Sequence, residues 1–226
     1  MKKTAVESNA KKDVSIVLSG EAGQGIQSIE TILIKIIKQS GYNIFATKEY
    51  MSRVRGGVNA TMLRVAHDRA AAPVDRTDIF IPLEKEALAR YAYRLDKNTI
   101  IAGDAGLLQD ARVNDIAFGK IAEALGNPLF SSMVAAGAAC GIIGIGKETA
   151  DRLIKNLFGR KGEETVNGNI KAFAAGYEEG ARTALKNDFK VRIEKNIKIQ
   201  DELMLSGADA VAIGAIAGGC NAAFAY

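Results

Sequence analysis

Two short segments of the chain combine residue types suited to holding an anion. Gly20-Glu21-Ala22-Gly23-Gln24-Gly25 stands between an apolar run, Val14 to Leu18, and an amphipathic stretch that begins at Ile26. A glycine turn there bares backbone N–H groups at a helix N-terminus, where amides and helix dipole together favour a phosphate or carboxylate. The alternative is a tight strand-to-helix turn that holds no ligand. The dinucleotide-binding pattern is not met: Ala22 replaces its second glycine, and no acid stands about 20 positions on, the nearest candidate being Glu49, 29 past Gly20.

The second segment is Arg53-Val54-Arg55-Gly56-Gly57-Val58-Asn59. Paired guanidiniums followed by glycines that admit a close backbone could clamp a phosphate or carboxylate. Contact with another subunit is the competing reading, since arginine is enriched at interfaces. Other candidates are weaker. Gly141 to Lys147 imitates a phosphate-binding loop, but Glu148 stands where a Ser or Thr should bind Mg²⁺ and the segment follows a helical pattern, so it reads as a helix end. His67, the one histidine, lies beside Asp68 in a polar stretch and reads as a solvated turn. Cys140 and Cys220 sit far apart in Ala/Gly-rich surroundings, so neither a disulfide framework nor a metal centre is expected from this chain.

Composition narrows the function classes. A chain of 226 residues, 48% hydrophobic and 25% charged, is long enough to bury a core and too apolar to be disordered throughout. The net charge of +4 comes from interspersed signs, and with no Trp and 6% aromatic residues there is no footprint of nucleic-acid binding. Met1 to Lys12 lacks the apolar stretch of a secretion signal. Val211 to Ala225, as a helix, would reach ~22 Å, short of a ~30 Å hydrocarbon core. The expectation is a cytoplasmic protein with no membrane span.

The elements that must position the two segments follow from periodicity. Val14 to Leu18 reads as a buried strand, and Ile26, Ile29, Leu33, Ile36 and Ile37 recur at helical spacing up to a stop at Gly41. Further strands are expected over Tyr42 to Tyr50, Asn59 to Val65, Asp78 to Leu83, Thr99 to Ala102 and Val113 to Phe118. Helices are expected over Glu84 to Leu95, Lys120 to Leu125, Leu129 to Ile143, Lys147 to Phe158 and Val166 to Leu185. Gly137 and Gly141, one helical turn apart, point to close helix packing. The fold class is α/β: a three-layer domain with a largely parallel sheet flanked by helices. Residues 187–206 are basic and polar and read as a linker or peripheral arm. Gly207 onward resumes as a small-residue helix and ends in a strand-like piece, Asn221 to Tyr226, which reads as the start of a further domain cut short.

Taken in order, the Gly20 to Ile26 turn, the run Glu49 to Asn59 with Leu63-Arg64-Val65, and the helix Asn169 to Tyr177 resemble the gamma subunit of 2-oxoacid:ferredoxin oxidoreductases over roughly residues 13–182. The tail Gly207 to Tyr226 is similar to the opening of the alpha subunit of the same enzymes, which implies a fused gamma–alpha polypeptide. On that resemblance residues 13–186 are the gamma-type domain, 187–206 the linker and 207–226 the truncated start of a pyrimidine-binding domain. The resemblance further implies oxidative decarboxylation of a 2-oxo acid, pyruvate or 2-oxoglutarate in kind, to an acyl-coenzyme A. Thiamine diphosphate and iron–sulfur clusters belong to partner domains or subunits, and ferredoxin takes the electrons. The implied partners are the alpha and beta portions of the enzyme, with coenzyme A (CoA) and the 2-oxo acid as ligands and no nucleic acid or membrane.

Within that frame Gly20, Gly23, Gln24 and Gly25 are expected to form the anion-binding turn. Arg53, Arg55, Gly56, Gly57 and Asn59 are expected to contact CoA or a neighbouring subunit. No residue is expected to be catalytic, no cofactor to be bound by this chain alone, and the isolated chain is expected to be inactive. A freestanding nucleotide-binding enzyme and a scaffold that docks subunits without touching ligand remain as alternatives.

Overall fold

The computed structural model describes residues 11–21, 24–52 and 57–224. Six strands form one sheet in the order β2-β3-β1-β4-β5-β6, where β1 is Asp13–Glu21, β2 Asn43–Glu49, β3 Val58–Ala66, β4 Ile79–Pro82, β5 Ile100–Gly103 and β6 Val113–Asp115. β1, β4, β5 and β6 pair in parallel. β3 joins β1 antiparallel, and β2 joins β3 in the same way. Three of the five pairings are therefore parallel, and the expected α/β architecture holds with a mixed edge.

β1 is the central strand and is buried from Val14 to Gly20. Its alternate residues serve two cores. Val14, Ile16 and Leu18 face α1 (Ile26–Gln39), α4 (Phe118–Ala124) and α5 (Ser131–Ile143). Val17 faces the opposite way with Phe80 and Ile101, under Ala87 and Leu88 of α2 (Lys85–Arg90) and Leu108 of α3 (Ala105–Leu108). This period-two division buries both faces of the strand, with Ser15 and Ser19 the polar side chains within its buried stretch. The expected helix over Glu84 to Leu95 is shorter, ending at Arg90 before a 3-10 turn at Ala92–Arg94.

The first core is thickened by α6 (Lys147–Phe158) and α7 (Glu163–Lys186). α5 and α7 meet through glycines. A Cβ on Gly137 would collide with the Phe173 carbonyl oxygen and one on Gly141 with that of Tyr177. Gly176 and Gly180 of α7 face the carbonyls of Val134 and Ala138 in the same manner. The phosphate-loop mimic is a helix end, with Gly144 and Gly146 both at positive φ.

The basic segment expected as a linker divides in two. Residues 187–201 run along the domain as a strap. The Asn196 N–H donates to the Gly41 carbonyl (2.7 Å), Gln200 Nε2 donates to the Gln39 carbonyl (2.7 Å), and Ile199 is buried. Phe189, Val191 and Ile193 pack against the first core. Apolar residues spaced among the lysines anchor the strap, a signal that net charge obscures. From Glu202 onward the described residues are exposed, including all of α8 (Gly207–Ala217), which begins in a capping box of Ser206 and Asp209. Residues 221–224 form no strand.

Candidate functional site

The site lies where the carboxyl ends of β1 and β4 open next to the start of β3. The chain leaves β1 into α1 on one face of the sheet and leaves β4 into α2 on the other. Connections that diverge in this way open a crevice at the strand ends, the place where open α/β sheets bind ligands.

The glycine turn is held by its own glutamine. The Glu21 N–H donates to Gln24 Oε1 (2.8 Å), and the Gln24 N–H donates to the Glu21 carbonyl (3.2 Å). A Cβ on Gly20 would collide with that same Oε1 and lie 3.0 Å from the Leu83 Cβ. Gly20 is thus a close-approach glycine, and the Gln24 carbonyl oxygen is committed to the turn. Gly25 precedes α1 at φ 85°, where a Cβ would collide with the Ser132 hydroxyl. α1 begins without a side-chain cap and without an acid in its first turn. Its N-terminal amides therefore keep their attraction for an anion.

Beside that terminus is a cleft of about 430 Å³ lined by Glu21 at the end of β1, Gly25 and Ser28 at the start of α1, Lys48 and Tyr50 at the end of β2, and Asn59 of β3. Lys48 Nζ lies 3.2 Å from Oε1 of the buried Glu30 on α1, and the Thr61 hydroxyl donates to the other oxygen (3.1 Å). These contacts fix α1 against β2 and β3. Register brings Asn59 opposite Gly20 and Val58 opposite Glu21. The hairpin loop after β2 is closed at its base: the Met51 N–H donates to Asn59 Oδ1 (3.0 Å), and the Val58 N–H points at the Met51 sulfur (3.2 Å). Gly57, at φ 93°, lies against Met51. Just before the loop, the Tyr91 hydroxyl donates to Glu49 Oε2 (2.7 Å). Burial, then that bond, pushes the Tyr91 hydroxyl up to about 12, so it stays protonated as an anchor.

The structure thus brings Gly20, Gln24, Gly25, Gly57 and Asn59 to one end of the sheet. Gly23, Arg53, Arg55 and Gly56 lie outside the described residues. Lys48 and Glu84 are additions the sequence did not offer. Lys48 lies on an edge strand and reads as a solvated charge until β3 places α1 beside it. Glu84 reads as an ordinary helix start, although it is buried with Oε1 lacking any partner. Burial, then the charges of Glu21 and Glu86, raises its carboxyl above the ordinary range.

Neither Cys140 nor His67 lies at this end of the sheet. Cys140 is inside α5, where burial pushes its thiol up. His67 follows the far end of β3, with Nδ1 2.9 Å from the Glu194 carbonyl of the strap. Among the described residues no group of three or more His, Cys, Asp or Glu is arranged to hold a metal ion, and no helix is long and apolar enough to cross a membrane.

Fold and site together define a three-layer α/β domain that presents backbone amides, a lysine and a hairpin loop at a sheet edge. The chain belongs to the pyruvate ferredoxin/flavodoxin oxidoreductase family, whose model matches residues 15–179, as a gamma-subunit-like domain. It is 30% identical to the 2-oxoglutarate synthase subunit KorC of Archaeoglobus fulgidus over 76% of this chain and 90% of that protein. It is 24% identical to the pyruvate synthase subunit PorC of Thermotoga maritima over 75% of this chain and 96% of that protein. The fold is shared with the 2-oxoglutarate:ferredoxin oxidoreductase of Magnetococcus marinus, solved with 2-oxoglutarate, coenzyme A and succinyl-CoA bound. That match has a TM-score of 0.80 and 24% identity, and covers 92% of this chain and 38% of the Magnetococcus chain.

Proposed function

We propose that this chain is the gamma portion of a 2-oxoacid:ferredoxin oxidoreductase that converts a 2-oxo acid to an acyl-CoA, and that its cleft holds phosphates of CoA. The observation that carries the reading is the meeting of an uncapped α1 N-terminus, Lys48 and the base of the arginine loop around one cleft. The Magnetococcus enzyme with CoA bound and the 2-oxoglutarate synthase relative support the substrate class.

In this reading the amides after Gly25 and the Lys48 ammonium orient the phosphates, and Arg53 and Arg55 supply guanidiniums to bind them. Thiamine diphosphate in the partner subunits supplies the decarboxylation chemistry, and their iron–sulfur clusters pass electrons to ferredoxin. This chain contributes binding and orientation, moves no proton and forms no covalent bond. The gamma domain comprises residues 13–186 together with the strap that packs on it. The strap and residues to 206 lead into an exposed helix, α8, within residues 207–226, the part likened to an alpha subunit.

Hydrogen exchange on the assembled enzyme tests the assignment. CoA is expected to slow exchange at residues 26–28 and in the loop between Tyr50 and Val58. Slowing confined to other parts of the enzyme would overturn it.

A further inference from the structure

Among the described residues of α1, Glu30 is the one charged side chain that is buried, and it shares that face with Ile29, Leu33, Ile36 and Ile37. A carboxylate taken out of water costs free energy that its partners must offset. Two contacts do so here. The Thr61 hydroxyl of β3 donates to Glu30 Oε2 (3.1 Å), and Lys48 Nζ of β2 lies 3.2 Å from Oε1. Stability does not account for the arrangement. The Lys48 side chain is 41% exposed, and an ion pair with one arm in water contributes little. A leucine at position 30 would extend the apolar face and remove the burial cost altogether.

What the pair controls is the position of Lys48. Among the described residues that line the cleft, Lys48 is the one cation, while Glu21 adds a negative charge on the β1 side. Lys48 also lines a second groove of about 920 Å³, which it shares with Glu30, Ile34 and Lys38 of α1, Ile44 of β2 and Leu203 of the tail. Residues 30, 34 and 38 are one helical turn apart, so this groove follows the flank of α1 away from its N-terminus. Lys48 thus stands where the two spaces meet. Its flexible four-carbon stem, left without a partner, would spread over both. The contact with Glu30 holds the ammonium at the boundary and uses one of its three N–H donors.

We propose that Glu30 is a positioning residue for the phosphate site: its buried carboxylate, oriented by Thr61, holds Lys48 Nζ between β2 and α1 and leaves the other two donors to an anion in the cleft. The inference rests on the reading that the cleft binds phosphates of CoA. The gain is preorganisation, because a long side chain ordered before the ligand arrives lowers the ordering cost of binding. The carboxylate also subtracts from the field of the ammonium, an effect of opposite sign. A substitution that removes the charge alone must therefore be set against one that removes charge and tether together.

Glu30→Gln keeps an acceptor for Lys48 and loses the charge, whereas Glu30→Leu loses both at similar volume. Their difference isolates the tether. In the assembled enzyme the KM for CoA is expected to be roughly 3–10-fold higher for Glu30→Leu than for Glu30→Gln, the factor for ordering one long side chain on binding. The kcat of the two variants should agree, since Glu30 touches no reacting atom. With Lys48→Ala in the background the two are expected to share one KM, because no ammonium is left to position. If Glu30→Leu does not fold, Glu30→Ala takes its place in the same comparison.

Equal KM values for Glu30→Gln and Glu30→Leu with Lys48 in place overturn the positioning role alone. A gap that persists in the Lys48→Ala background also overturns it, and marks Glu30 as a structural link between α1 and the sheet. Lys48→Ala by itself separates the two levels. It is expected to raise the KM for CoA, and a native KM in that variant overturns the assignment of phosphates to the cleft and the role of Glu30 with it.

Discussion

Replacing Gly141 with leucine is expected to leave the chain unable to fold. α5 has no polar face: all residues from Met133 to Ile143 are buried. It is held between α1 and α4 on one side and α7 on the other. At Gly141 the obstacle to any side chain is backbone, since a Cβ would collide with the Tyr177 carbonyl oxygen and lie 2.9 Å from the Ala181 nitrogen. Backbone in a helix cannot rotate aside as a side chain can. The two helices must separate, and the reciprocal contacts of Gly176 with Val134 and Gly180 with Ala138 separate with them.

Overpacking at one core site costs roughly 1–3 kcal/mol. Here the displacement is shared along the whole contact, and the loss approaches the ~5–15 kcal/mol that a domain has in total. Gly141→Ala should lower the melting temperature by about 5–10 °C, and Gly141→Leu should yield insoluble or unfolded protein. Gly119 is the control. It lies in α4 with no atom within 4 Å of an added Cβ, so Gly119→Ala should be neutral or slightly stabilising. A Gly141→Leu chain that melts within a few degrees of the native one would sink the account.

That contact shows how far the sequence could be read. The spacing of Gly137 and Gly141 in a helix that is apolar from Met133 to Ile143 is enough to expect a close neighbour. Their partners, Gly176 and Gly180, were hidden because α7 also carries Lys171, Glu178, Glu179 and Arg182 and reads as an ordinary amphipathic helix. The strands and most helices were legible from their periods, but pairing direction was not. Local alternation in β3 is the same whether it runs with β1 or against it, and only the short hairpin from β2 forces the antiparallel choice. The same antiparallel register is what places Asn59 beside Gly20.

Within the site the glycines were legible and their reasons only in part. Gly25 is required by its φ of 85°, a local demand that a turn motif carries, whereas Gly20 is crowded by the Cβ of Leu83 on the neighbouring chain segment, which no turn motif reveals. Glu84 reads in the sequence as an ordinary acid at a helix start, and only burial turns it into an anomaly.

The arginine loop carries the largest functional expectation. In the assembled enzyme, Arg53→Ala with Arg55→Ala should raise the KM for CoA on the order of 30–100-fold, taking about 1 kcal/mol or slightly more for each guanidinium–phosphate contact in a partly solvated site. The loop base is fixed by Met51, Gly57 and Asn59 beside the α1 terminus, and none of these contacts involves an arginine side chain. The double variant should therefore keep its melting temperature and still join its partners. Lysine at both positions should restore only part of the affinity, because an ammonium lacks the paired donors that match two phosphate oxygens. Raising the salt concentration should narrow the gap between native and variant enzymes, as a cluster of cations around an exposed anion is screened. If the loop docks subunits without touching ligand, the same substitutions weaken assembly and leave the KM for CoA of the surviving complex at its native value. Measuring both quantities on one preparation separates a ligand clamp from a scaffold.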